Sequence, residues 1–131
     1  MTRLAVTKKP APDAEAPFIE KARAMAEIIA GKKAKDIQAR DLRGLTLVAD
    51  AFLLCTATSE PQMKAVVNAL REDMKALGVS PLHIEGAHSD GWLLMDYGDV
   101  IVHIFRPKSR EFYDLDGLWG DAPEIDLKLE E

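Results

Sequence analysis

The chain has 131 residues, 47% of them hydrophobic and 30% charged, a length and balance that suit one globular domain with a core of its own. Its formal charge of -5 argues against broad adhesion to nucleic acid or to an anionic membrane, which needs Lys and Arg in clear excess on some face, and suits a basic partner better. The single cysteine, Cys55, forbids an internal disulfide, and no apolar run is long enough to span a bilayer.

Residues 1–16 carry Pro10, Pro12 and many alanines with charge of both signs. Such a composition cannot bury enough apolar area to offset the entropy of ordering, so a disordered N-terminal tail is expected. Lys8 and Lys9 stand where a secretory signal would need its apolar core, which leads to a cytoplasmic expectation. From Pro17 the spacing of Phe18, Ala22, Met25 and Ile29 predicts an amphipathic helix, widened by Ile19, Ala26 and Ile28 and closed near Gly31. After the basic GKKAK link, residues 36–42 read as a short strand in which Ile37 and Ala39 alternate with polar neighbours, and Gly44 marks a turn. Residues 51–57, AFLLCTA, are almost all apolar and imply a strand covered on both faces.

Ser59 is placed as an N-cap, Pro61 sits in the first turn, and Gln62 is placed to complete a capping box. Met63, Val66, Val67, Leu70, Met74 and Leu77 then predict a buried helical stripe that Gly78 ends. Residues 81–85 are briefly extended, and residues 86–91 form a polar loop. Trp92–Asp96 and Val100–Phe105 follow as strands, joined so tightly through Tyr97, Gly98 and Asp99 that they must form an antiparallel hairpin. Pro107 ends the second of them, and REFYDLDGLW reads as a short helix or turn laid on the hairpin. From Asp121 on, Asp121, Glu124, Asp126, Glu130 and Glu131 stand against Lys128 alone, so an acidic, solvated C-terminal tail is expected over 121–131, leaving 17–120 as the single domain. The sum is an α/β (α+β) fold, a mixed sheet of about five strands with flanking helices.

Catalytic chemistry is scarce in this sequence. Asp114 and Asp116 stand two apart; on a strand they would face one way and could hold a divalent metal for nucleotidyl transfer. Their segment reads as helix or loop, where side chains two apart diverge by about 200°, and solvated acids are then the simpler reading. Asp99 reads as a tie for the hairpin turn. His83, His88 and His103 lack the spacing and the companion ligands of a zinc site, while the alternation of His103 with Ile101 and Phe105 predicts a partly buried structural histidine. Cys55 lies in an apolar strand and reads as inert packing. No nucleophile elbow and no phosphate-cradling glycine loop is present. Nothing here specifies an enzyme, a metal or a cofactor.

The binding material is better. The stretch DGWLLMDYGDVIVHIFRPKSREFYDLDGLWGDAP, residues 90–123, holds most of the aromatic residues of an aromatic-poor chain. Trp92, Leu94 and Asp96 share one strand face, and Leu93, Met95 and Tyr97 share the other. Alternation leaves open whether both faces are core or one is a partner surface.

These residues carry a resemblance. GWLLMDYGDVIVHIF followed by REFYDLDGLWGDAP is similar to the C-terminal signature of the ribosomal silencing factor, or Iojap, family. The first helix, the KKAKDIQARDLRG segment, Asp50 before AFLLCTATSE, and the triplet Ile84 to Gly86 fit as well, so that the resemblance covers roughly residues 18–123. It implies a nucleotidyltransferase-like fold without that chemistry. The Gly-Ser helix start of those enzymes is replaced here by Thr56-Ala57-Thr58-Ser59, and Ala57 stands where many relatives have Gly. It further implies a homodimer-forming translational repressor that binds the large ribosomal subunit through its ribosomal protein fourteen and hinders joining of the small subunit when nutrients are limiting. Carried onto this chain, the contact would use Trp92 and Leu94 as apolar anchors, Asp96 and Asp99 as acids toward a basic partner, and Tyr97 at the turn, with Tyr113 and Trp119 as secondary candidates. A metal-dependent nucleotidyltransferase using Asp114 and Asp116 is the alternative.

Overall fold

In the computed structural model, which describes residues 16–129, helix α1 (Pro17–Gly31) starts on a proline, where a missing N–H does no harm, and buries the expected stripe. The expected N-terminal tail lies, but for Ala16, outside the described residues. Strands β1 (Lys35–Asp41) and β2 (Ala51–Thr56) precede helix α2 (Glu60–Ala76). Strand β3 (His83–Glu85), a single 3-10 turn, strands β4 (Trp92–Asp96) and β5 (Val100–Phe105), and two short helices, α3 (Pro107–Tyr113) and α4 (Leu115–Leu118), complete the chain. The five strands form one mixed sheet in the order β1-β2-β5-β4-β3. Only β2 and β5 run parallel, joined by a crossover through α2, β3 and β4.

That parallel pair is the centre of the fold, and every residue in both strands is buried. Side chains alternate between two cores as the pleat requires. Leu53, Cys55, Val100, Val102 and Ile104 face α1 and α2 in the larger core, together with Leu93, Met95 and Tyr97 of β4. Phe52, Leu54, Ile101 and Phe105 face the other way, into a smaller core with Leu42, Ala49 and Ala122. Two local expectations shift. Leu77 is not in the helix stripe but at the C-cap, 65% exposed. Ser59 Oγ does accept the Gln62 amide at 3.1 Å, but the Gln62 side chain accepts from the amide of Thr58, at 2.7 Å, instead of that of Ser59, so the box is displaced by one residue.

The larger correction concerns the acidic C-terminus, which is not a solvated tail over its described length. The Ile125 amide donates to the Ala39 carbonyl at 2.9 Å and the Asp41 amide to the Pro123 carbonyl at 2.8 Å, so the segment runs along the outer edge of β1. Arg40 clamps it through a 3.0 Å bond to the Ala122 carbonyl. Ala122, Ile125 and Leu127 are buried, the last two against α1 and α2 in the larger core. The strap protects an edge that would otherwise offer unpaired amides to another chain.

Truncation after Asp121 should therefore lower the urea midpoint sharply and promote aggregation. Ile125→Ala alone should cost about 2 to 4 kcal/mol, as a buried isoleucine does. A truncated chain that melts like the full one would refute the role of the strap.

Candidate partner-binding surface

The larger core leaves the sheet's second face to be covered by whatever follows β5. Because directly paired residues share a face, the register Trp92 to Phe105, Leu94 to His103 and Asp96 to Ile101 puts Trp92, Leu94 and Asp96 on that side. β3 extends it with His83 and Glu85, paired to Asp96 and Leu94. Helices α3 and α4 lie over the β5 end. The Tyr113 ring sits 4.6 Å from Trp92, and the Trp119 ring stands edge-on to Phe52 at 5.8 Å. The result is an aromatic surface whose floor is Phe52, His103 and Phe105, whose middle is half-buried Trp92, Leu94 and Trp119, and whose rim is Phe112 at 78% and Tyr113 at 48% exposure. Exposed rings of this size that lean on a buried aromatic floor are the raw material of a protein interface.

Of the residues expected to make the contact, the structure unites Trp92, Leu94, Tyr113 and Trp119 and separates two others. Tyr97 is buried on the opposite face, where its hydroxyl donates to the Leu70 carbonyl at 3.5 Å and burial holds the phenol above its ordinary pKa. Asp99 turns back to α1 and pairs with Lys21 at 2.7 Å. Asp96 stays on the Trp92 side. One of its oxygens accepts the Gly98 amide at 2.7 Å, tying a turn in which Gly98 adopts φ +91, and the other lies 3.8 Å from His83, whose far nitrogen meets Glu85 at 2.9 Å. The side of the surface next to β3 is therefore acidic, with His83 between two carboxylates.

The floor contains a histidine that the sequence marked as structural, and its burial is complete enough to fix its chemistry. Indole Nε1 of Trp92 can only donate, and it donates to His103 Nδ1 at 3.1 Å. The imidazole proton therefore resides on Nε2, which is buried and has no hydrogen-bond partner. The Phe52 ring lies edge-on at 4.5 Å. Burial lowers the His103 pKa to about 4, keeping the ring neutral.

The two acids of the nucleotidyltransferase alternative are both engaged elsewhere. Asp114, in the left-handed region at φ 50, ends α3 and caps α4 by accepting the Gly117 amide at 3.0 Å. Asp116 is held by a forked pair of bonds from Arg110, at 3.0 and 2.9 Å, which keeps its carboxyl below the usual carboxylate range. With Asp36, Thr56, Pro107 and Glu111 they line an acid-rich cleft of about 470 Å³. Among the described residues no group of three or more His, Cys, Asp or Glu is placed to hold a metal. The pair does not form the shared, open metal face that this reading required. Cys55 is buried, and burial raises its thiol pKa to about 12, as inert packing predicts. Among the described residues no helix is long and apolar enough to cross a membrane.

Sequence reasoning gave no role to Arg110, because its partners at Thr56 and Asp36 lie 54 and 74 positions away and leave no local trace. Phe112 was visible only as part of an aromatic concentration; its exposure is a property of the fold.

Comparison with known proteins converges on one family. The family model described as "Ribosomal silencing factor during starvation" matches residues 15–131. The Bacillus subtilis protein named Ribosomal silencing factor RsfS is 42% identical over 96 residues, which cover 73% of this chain and 81% of that protein. Protein Iojap, chloroplastic, from Arabidopsis thaliana is 31% identical over 107 residues, 82% of this chain and 44% of its own longer length. A crystal structure of a Chromobacterium violaceum protein superposes with a TM-score of 0.73 at 36% identity, covering 81% of this chain and 87% of that one. One from Bacillus halodurans gives 0.71 at 32%, covering 82% and 97%. The α+β fold read from the sequence is thus the fold of solved relatives.

The buried imidazole makes stability pH-dependent in a defined window. His103 takes up its proton near 6.5 when unfolded and only near 4 when folded, so acidification between those values loads protons onto the unfolded chain first and destabilises the native state. The loss should reach at most about 3 kcal/mol at the acid end. Urea midpoints measured from pH 7 to 4 should fall in the wild-type chain and fall less in His103→Gln. Parallel slopes would assign the effect to other groups.

Proposed function

Because the chain belongs to the ribosomal silencing factor family, we propose that it binds the large ribosomal subunit through ribosomal protein fourteen and keeps the small subunit from joining, repressing translation when nutrients are limiting. The mechanism is steric. A factor that occupies the joining surface needs no turnover, only affinity for one face and enough bulk to collide with the incoming subunit.

The contact is centred on Trp92 and Leu94, with Tyr113 and Trp119 extending the apolar patch and Asp96 and Glu85 supplying negative charge beside it. One observation carries this placement: the exposure of Phe112 and Tyr113 on rings that continue inward to Trp92 and the buried floor. Tyr97 and Asp99 serve the same surface from behind, Tyr97 by anchoring the hairpin to α2 and Asp99 by anchoring it to α1. A net charge of -5 favours encounter with a basic ribosomal protein and disfavours indiscriminate adhesion to RNA. The proposed site of action is the cytoplasm.

Purified protein should co-sediment with large subunits and not with small ones, and should slow subunit joining followed by light scattering. Equal sedimentation with both would overturn the reading. Phe112→Glu and Leu94→Glu test the patch. Phe112 is exposed enough for the first to leave the melting curve unchanged. Each should weaken large-subunit binding by about 2 kcal/mol, roughly 30-fold. Folded variants with wild-type affinity would move the contact to another face.

A further inference from the structure

We propose that Arg110 is the positioning residue of this surface: its guanidinium fastens α3 and α4 to the sheet and thereby sets Tyr113 and Trp119 against Trp92 and Phe52. The inference rests on the reading of that surface as the docking site, and it adds the residue that gives the surface its shape.

Helices α3 and α4 have seven and four residues, and neither has a fully buried side chain. Helices so short do not persist in water on their own, and half-buried Leu115 and Trp119 supply little of the burial that usually holds such an element. What they have instead is one cation with only 11% of its side chain exposed. Arg110 Nε and Nη2 grip the two oxygens of Asp116 at 3.0 and 2.9 Å, closing α3 onto α4. Its Nη1 donates to Thr56 Oγ1 at 2.9 Å, at the end of β2, and to the Asp36 carbonyl at 2.6 Å, in the bulge of β1. Four bonds from one side chain thus join two helices to two strands.

The backbone around it is bent to suit. Asp36 and Asp114 both adopt left-handed conformations, at φ 51 and 50, the first where β1 turns its carbonyl to Arg110 and the second where the chain folds back between α3 and α4. Aspartate tolerates this region better than most residues, though still at some expense. The fork geometry belongs to arginine. A lysine could meet Asp116 or Thr56 but could not hold both oxygens of Asp116 in plane while reaching the strands.

The test uses the full chain with Arg110→Gln, Arg110→Lys and Asp116→Asn. Trp92 and Trp119 are its only two tryptophans, and both border the ledge, so their emission reports its position. In Arg110→Gln and Asp116→Asn, emission should shift to the red and acrylamide quenching should rise, while the far-ultraviolet signal and the cooperative melt of the sheet persist. Affinity for large subunits should fall at least about tenfold in each, and the double variant should lose no more than the worse single, because the two residues act as one unit. Arg110→Lys should fall between. Unchanged emission and affinity in folded variants, or fully additive losses, would overturn the proposal. If Arg110→Gln does not fold, Asp116→Asn decides the matter alone. If even the wild-type chain fails to bind large subunits, the functional reading falls, and the emission of the variants still tells whether Arg110 holds the ledge.

Discussion

Everything in this fold follows from the need to cover β2 and β5 on both faces. A parallel pair with every side chain buried must be sandwiched, and its crossover must be long. Helices α1 and α2 meet that need on one side with two amphipathic stripes of ordinary length. The other side is covered by short helices, loop residues and the chain that follows β5, and this cover stops short of β4. The half-covered strand face beside it is where Trp92 and Leu94 emerge. The candidate surface is thus the uncovered remainder of the second core.

Burial on the helix side is mostly apolar and tolerant; on the other side it is laced with polar contacts that demand fixed geometry. Arg110, His103 and the indole of Trp92 all make their bonds there. Polar contacts in a low-dielectric setting are stronger than in water and costly when broken, so the face that would meet a partner is also the more exactingly specified one. The hairpin is braced from the apolar side by Tyr97 and Asp99, which reach α2 and α1 respectively. The surface is held at both ends, by the hairpin at one and the α3–α4 ledge at the other.

How legible this was in the sequence depended on how local the signal was. Helical stripes, the all-apolar AFLLCTA strand and the Tyr97-Gly98-Asp99 turn are patterns within a few residues, and each gave the element seen. The acidic C-terminus misled because its charge count hid a second pattern: Ile125, Leu127 and Leu129 alternate with Asp126 and Lys128, the period of a strand with one buried face. Tyr97 and Trp92 were correctly assigned to opposite faces, but alternation cannot say which face the helices take. The grouping of Trp92 with Tyr113 and Trp119 required the return of α3 and α4 over the sheet, and that return is specified by pairings of Arg110 far apart in sequence.

The unpaired Nε2 of His103 has a consequence for anyone seeking a hardier form of this protein. A buried donor without an acceptor costs about 1 to 3 kcal/mol, so the position looks like an invitation to an apolar ring. Yet the same imidazole accepts the Trp92 indole, and removing it would strand that N–H in turn, loosening the side chain at the middle of the exposed aromatics. Selection for thermal endurance and selection for a firm grip on a partner would therefore pull this one residue in opposite directions. A consensus-style stabilisation of the core would reach its limit here, at the point where the interior and the working surface share an atom.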